Sequence, residues 1–137
     1  MLKLQANVEF SANDAKMMAR ALKLAEKGKQ STTPNPHVGC VIINSQQQII
    51  GEGFHKTVGE GHAEALALQQ TNGMAEGATA YVTLEPCAHY GQTPPCAQAL
   101  IDAKIKRVVV ACADPNPQVS GKGIAMLLSA GIEVSLG

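Results

Sequence analysis

Apolar positions along the chain recur at two spacings that alternate from segment to segment. SANDAKMMARALKLAEKGK, residues 11–29, places Ala15, Met18, Leu22 and Ala25 at helical intervals, with Ser11 where an N-cap belongs and Gly28 where the helix should stop. Two short apolar runs follow, VGCVIIN (38–44) and QIIGEGFH (48–55), parted by the polar SQQQ, which is the pattern of a β-hairpin. HAEALALQQTN (62–72) returns to the helical period and ATAYVTLEP (78–86) reads as a strand. PPCAQALIDAK (94–104) reads as a helix opened by prolines, RVVVACAD (107–114) as a strand, and GKGIAMLLSAG and IEVSLG as a last helix and strand. The order α, β, β, α, β, α, β, α, β predicts an α/β fold with a largely parallel sheet, one antiparallel hairpin and helices on both faces. Gly39, Gly51 and Gly53 read as backbone-permitting positions of the hairpin. Cys40 and Cys112, in apolar strands, read as core residues.

Three connections stand out as long and proline-rich: STTPNPH (31–37), CAHYGQTPP (87–95) and DPNPQVSG (114–121). In open α/β sheets the loops at the carboxyl ends of strands are where ligands bind. At 137 residues the chain is expected to form one domain over 1–137, with neither a repeat nor a linker inside it. No apolar run approaches the roughly 18 residues of a membrane span. The start, MLKLQANVEF, lacks the basic-then-apolar pattern of a secretory leader, so a cytoplasmic protein without a membrane partner is expected. Eleven basic residues balance eleven acidic ones and aromatics make up only 3%, which removes both the charge footprint and the stacking platform of a nucleic-acid binder and favours a small-molecule partner. In a reducing compartment four cysteines are more readily metal ligands, reactive thiols or core residues than a disulfide framework.

The chemistry concentrates at strand-to-helix junctions. His62 opens a helix, Cys87 follows the strand that ends in Glu85 and Pro86, and Cys96 stands at the start of the next helix behind Pro94 and Pro95. Junctions on one edge of a parallel sheet lie close together, so one imidazole and two thiolates could converge on a Zn²⁺, leaving the fourth position to water as in catalytic sites. Helix N-termini favour the thiolate form of Cys96 and Cys87. Glu64 lies two residues after His62, about 200° around a helix, so both can address one metal only if the helix points at it end-on. A carboxylate so placed can take a proton from a metal-activated water and deliver it to a leaving group. His-x-Glu followed by Pro-Cys and a second cysteine is the zinc-deaminase arrangement, in which the glutamate is not a ligand.

In this chain eight residues rather than two separate the cysteines of PCAHYGQTPPC. With TTPNPHVGCVI, GEGFHKTVGEGHAEALAL, GATAYVTLEPCAHYGQTPPCAQALI and DPNPQVSGKGIAMLLSAGIEV, the sequence resembles the deaminase domain of the bifunctional riboflavin-biosynthesis deaminase/reductases, from about Lys16 to Val134. The resemblance implies a cytidine-deaminase-like, three-layer α-β-α sandwich around a five-stranded mixed, mostly parallel sheet. It implies hydrolytic deamination of a phosphoribosylated diaminopyrimidine, with His62, Cys87 and Cys96 as zinc ligands and Glu64 as the proton shuttle. It further implies that Asn35, His55, His89, Asp114 and Asn116 line the substrate pocket. The chain departs from the family at Gln92, usually arginine or lysine and suited to the substrate phosphate, at Gly61, usually proline, and at Tyr90 and Ala88, commonly histidine and serine. Bacterial members continue into an NADPH-dependent reductase domain, so a truncated or separately encoded deaminase is expected, and self-association into a homo-oligomer is expected of folds of this kind.

Other readings compete with each element of this picture. A lone histidine is more often a satisfied, partly buried residue, and a lone Glu64 a solvated one; the four residues together make the metal reading the stronger. His89, between the cysteines, could supply the fourth ligand of a structural zinc. Asn35, Asp114 and Asn116 beside prolines could be turn formers, and His37 a plain loop residue. A deaminase of another base or nucleoside, and a zinc-stabilised binding module without catalysis, are the competing functions. Backbone N–H groups near the Glu85-Pro86-Cys87 turn are expected to stabilise the tetrahedral intermediate of the reaction.

Overall fold

The computed structural model describes residues 11–27, 38–54, 63–86, 96–112 and 120–136. Its elements come in the predicted order: α1 (Ala12–Lys27), β1 (Gly39–Ile43), β2 (Ile49–Phe54), α2 (Ala63–Gln70), β3 (Thr79–Val82), α3 (Cys96–Asp102), β4 (Arg107–Val110), α4 (Lys122–Ser129) and β5 (Glu133–Leu136). The five strands form one sheet in the order β2-β1-β3-β4-β5. β1 runs antiparallel to both its neighbours, whereas β3, β4 and β5 are parallel. The sheet is therefore mixed but mostly co-directional, and β2, β3 and β4 all leave it at the same edge.

Strand chemistry follows from position. Every residue of β1, GCVII, is buried, as a continuous apolar run should be in a strand covered on both faces. Cys40 and Ile42 turn to one face with Ala80, Val82, Val108 and Val110, where Ala63 and Ala67 of α2, Ala97 and Leu100 of α3, and Ile124 and Leu127 of α4 close over them. Val41 and Ile43 turn to the other face with Tyr81 and Val109, beneath Met17, Met18, Ala21 and Leu24 of α1. Each fully buried branched side chain of this kind contributes about 1.5–3 kcal/mol. Among the described residues no helix is long and apolar enough to cross a membrane.

The buried stripe of α1 is rotated from the predicted one. Leu22 is 49% exposed and Ala15 is also outside, while Asp14, Met17, Met18, Ala21, Leu24 and Ala25 face the sheet. A polar network accounts for the rotation. Ser11 caps the helix as predicted: its Oγ accepts the Asp14 N–H at 3.0 Å and its own N–H donates to Asp14 Oδ2 at 3.0 Å, a reciprocal capping box. The same Asp14 carboxylate accepts the Tyr81 hydroxyl at 2.6 Å and both Nη1 and Nη2 of Arg107 at 3.0 and 3.1 Å, and Arg107 Nη2 also donates to Ser135 Oγ. Burial works to raise the Asp14 carboxyl, but the hydrogen bonds from Arg107, Tyr81 and Ser11 outweigh it and hold the group below its ordinary value. A carboxylate buried with partners on β3 and β4 sets which face of α1 turns inward, and a count of apolar positions along the helix cannot register it.

The hairpin turn is built by Asn44, whose Oδ1 accepts the N–H groups of Gln46 and Gln48 at 2.9 Å, with Gln47 in the left-handed region at φ 68°. The hairpin glycines have a different reason from the one predicted. None of Gly39, Gly51 and Gly53 takes a positive φ. A Cβ at Gly39 would lie 2.0 Å from the Ala21 carbonyl oxygen of α1, and one at Gly51 would lie 2.2 Å from the Ala67 oxygen of α2. These glycines let two helices seat directly on the strand backbone, one on each face of the sheet.

Candidate functional site

The edge at which β2, β3 and β4 exit is where the helices that open with Ala63-Glu64 and with Cys96 begin. Register brings Phe54 beside Gly39, Cys40 beside Val82, and Val82 beside Val110. Beyond Val82 the chain stays tied to that edge. Thr83 exchanges hydrogen bonds with Gly39, donating its N–H to the Gly39 carbonyl and accepting the Gly39 N–H on Oγ1, both at 3.1 Å. The first turn of α2 lies on β2 at the same place, because a Cβ on Gly53 would be only 2.4 Å from the Ala63 carbonyl oxygen.

Glu64, the second residue of α2, is 3% exposed. It is directed inward rather than to solvent, contrary to what a surface glutamate in a first turn would do. Its charge reaches Cys40 on β1, whose thiol is pushed well above its ordinary value first by burial and then by the Glu64 carboxylate. Cys40 is thus a core residue, as predicted, with burial and the nearby carboxylate both opposing its thiolate form. Cys96 is the first residue of α3 and is 5% exposed, followed by Ala97 and Leu100 in the core. Both residues occupy the opening turns of helices that pack against each other over one face of the sheet. The N-terminus of α2 lies at the strand-exit edge, its Ala63 carbonyl over Gly53 of β2.

Glu64 and Cys96 are the members of the expected site that the structure describes. His62, Cys87, Asn35, His55, His89, Asp114 and Asn116 lie outside the described residues. By connectivity His62 directly precedes α2 and Cys87 directly follows Pro86, which is buried at the exit of β3. Among the described residues no three histidine, cysteine or acidic side chains form a metal-holding group. Of the expected donors the described residues include the buried Cys96 thiol, a ligand type that suits zinc, and the buried Glu64 carboxylate stands in the first turn of the neighbouring helix, where a non-ligating acid/base group would be needed.

One expectation needs correction. Cys112 is exposed, because β4 ends at Val110 and the residue stands in the bend that follows. Of the backbone N–H groups expected near the Glu85-Pro86-Cys87 turn, that of Glu85 donates to the Cys112 carbonyl at 2.9 Å and proline has none, while Cys87 lies outside the described residues.

Glu85 itself is the residue that sequence reasoning passed over. It is 5% exposed, and its carboxylate reaches across to the N-terminus of α4. Oε1 accepts the Gly121 N–H at 2.9 Å, and Oε2 accepts those of Gly123 and Ile124 at 3.0 and 3.2 Å. The N-cap Gly121, at φ 85°, has no side chain to cap the helix, so the acceptor comes from elsewhere in the fold. A helix opening on Gly-Lys-Gly has no side-chain cap of its own, but the sequence does not say which residue supplies the acceptor.

Comparison with known proteins places these features in a family. Residues 11–112 match the family model described as the cytidine and deoxycytidylate deaminase zinc-binding region. The riboflavin biosynthesis protein RibD of Haemophilus influenzae is 60% identical over 126 residues, covering 92% of this chain and 34% of that protein. The diaminohydroxyphosphoribosylamino-pyrimidine deaminase of Buchnera aphidicola is 52% identical over 120 residues, covering 88% of this chain and 81% of that protein. Among solved structures, Acinetobacter baumannii RibD superposes with a TM-score of 0.88 at 60% identity, over 91% of this chain and 35% of that one. The chain thus spans about a third of the length of the RibD proteins it matches and most of the length of the Buchnera deaminase.

Proposed function

We propose, for a chain that belongs to the family of the cytidine and deoxycytidylate deaminase zinc-binding region, that its reaction is the deamination step of riboflavin biosynthesis. The substrate is 2,5-diamino-6-(5-phosphoribosylamino)pyrimidin-4(3H)-one, and with one water it gives 5-amino-6-(5-phosphoribosylamino)uracil and ammonia. The observation that carries this reading is the likeness to a stand-alone deaminase of that substrate class across most of both chains. A buried Glu64 in the first turn of α2 and a buried Cys96 opening α3 are what that chemistry requires of this fold.

His62, Cys87 and Cys96 would hold a zinc ion, which when bound supplies a Lewis acid able to make water nucleophilic near neutral pH. Glu64 takes one proton of the attacking water on its carboxylate and passes it to a ring nitrogen; it then takes the second proton from the hydroxyl added to the ring carbon and delivers it to the departing amine, so that ammonia leaves as the carbonyl forms. Its burial keeps bulk water from competing for that proton and strengthens the electrostatic interactions around it. Asn35, Asp114 and Asn116 offer amide and carboxylate groups to the edge of the aminopyrimidine or the ribose, and His55 and His89 offer imidazoles to its polar or anionic groups. Gln92, unlike a cation, can meet a phosphate only as a neutral hydrogen-bond donor, so affinity for the phosphate rests on other residues.

The deaminase step is assigned to residues 1–137 as one domain. The reductase that follows in bifunctional relatives would consume the product, and a homo-oligomer is the expected assembly. Thiolate ligands and a phosphorylated small substrate both favour a cytoplasmic setting. The test is ammonia release from the phosphoribosylated diaminopyrimidine, with cytidine and guanine in parallel and Glu64→Gln as the control. Turnover of the first substrate alone, lost by a factor of about 100 or more in the variant, is expected. Turnover of only cytidine or guanine would sink the pathway assignment.

A further inference from the structure

We infer that Glu85 is a positioning residue of this centre, fastening the turn that carries Cys87 to the N-terminus of α4. The inference rests on Cys87 being a metal ligand, and it adds a residue that the deaminase chemistry does not itself call for.

Glu85 and Pro86 are clamped from two sides. On one side the Glu85 N–H is held by the carbonyl of Cys112, just past β4. On the other, the Glu85 carboxylate takes three backbone N–H groups at the start of α4, at residues 121, 123 and 124. Pro86 is pressed against the same helix, since a Cβ on Gly123 would lie 1.8 Å from the Pro86 carbonyl oxygen and 3.4 Å from Glu85 Cγ. Gly123 is therefore glycine because the turn and the helix touch backbone to backbone. The residue pair immediately before Cys87 is thus held by hydrogen bonds on both sides and by close backbone packing.

The charge of Glu85 matters as well as its shape. Three donors share two oxygens, and the positive end of the α4 dipole faces the carboxylate. An amide in its place keeps one acceptor and turns its N–H₂ toward at least one donor. The anchor points, Cys112 and Gly121, also bracket segment 113–119, so one residue holds both ends of that connection as well as the ligand turn. Groups that orient metal ligands from behind are worth about 10- to 100-fold in metal affinity.

The experiment compares zinc affinity by chelator competition, together with thermal stability, in the wild-type chain, Glu85→Gln, Glu85→Asp and Asp14→Asn. Asp14→Asn breaks the other buried carboxylate network, between α1 and the sheet, and serves as the control for destabilisation alone. Glu85→Gln is expected to bind zinc at least about 10-fold more weakly, and Glu85→Asp, which keeps the charge and both acceptors on a shorter stem, to lie between it and wild type. Asp14→Asn should keep wild-type zinc affinity despite an equal or larger drop in melting temperature. Zinc affinity unchanged in both Glu85 variants, or lowered equally in Asp14→Asn, would reduce Glu85 to a helix cap and overturn the inference. A wild-type chain that takes up no zinc would instead overturn the ligand assignment on which it rests.

Discussion

Replacing Gly53 by alanine tests whether the position of α2 governs the reaction. The added Cβ would stand 2.4 Å from the Ala63 carbonyl oxygen, 2.8 Å from the Ala67 nitrogen and 2.8 Å from Leu66 Cβ. Ordinary contact begins near 3.4 Å, so the helix must lift from β2, or the strand must bow, by about 1 Å. Two of the three opposing atoms are backbone, so no side-chain rotation relieves the clash. Overpacking of this kind costs about 1–3 kcal/mol, a drop in melting temperature of roughly 3–10 °C for a domain of this size. The larger effect falls on Glu64, which rides on the displaced turn. A proton shuttle misplaced by about 1 Å can cost on the order of 100-fold in rate. Thermal melts and steady-state ammonia release on Gly53→Ala check both figures. Gly73→Ala is the comparison: Gly73 has φ 80° with nothing within 4 Å, so an alanine there should cost about 1 kcal/mol in strain and leave turnover unchanged. A folded Gly53→Ala protein with turnover within about twofold of wild type would refute the seating of α2 as the element that positions Glu64.

Asp14→Asn should destabilise the fold by about 2–3 kcal/mol in urea unfolding at neutral pH, because it removes the charged acceptor shared by Tyr81 and Arg107. The folded carboxyl lies below its ordinary value of 3.8, so its contribution is full above that pH and is lost as pH falls through the lower folded value; the wild-type advantage over Asp14→Asn should shrink in acid and hold constant above about pH 5. A gap independent of pH down to pH 2 would contradict this. Zinc removal by chelation should abolish ammonia release, with recovery on re-addition, while far-ultraviolet circular dichroism is retained, since two apolar clusters hold the sheet without help from a metal. Loss of the dichroism together with the metal would mean that the ion is structural.

Much of this protein can be read along the chain, because both the helical and the strand period are local. Nine elements in order, the hairpin, the Ser11 cap and the helix openings at Glu64 and Cys96 all follow from spacings of a few residues. The proposed site rests on the same kind of local signal: a short motif holds His62, Glu64, Cys87 and Cys96, and of these Glu64 and Cys96 stand buried in the first turns of their helices.

What only the tertiary structure decided are relations between segments far apart in sequence. The rotation of α1 was set by Arg107 and Tyr81, which lie on β4 and β3, through a buried carboxylate that a count of apolar positions treats as surface. Gly39, Gly51 and Gly53 looked permissive and proved to be points of close approach, a property of the helix opposite and not of the strand. Cys112 looked like a strand residue because its neighbours are apolar, yet the parallel pairing stops at Val110. Glu85 was hidden most completely: its partners lie 36 to 39 residues further on, at a helix that lacks a cap of its own. A backbone donor leaves no mark on residue identity, so a side chain that serves one across the fold is visible only once the chain has brought the two together.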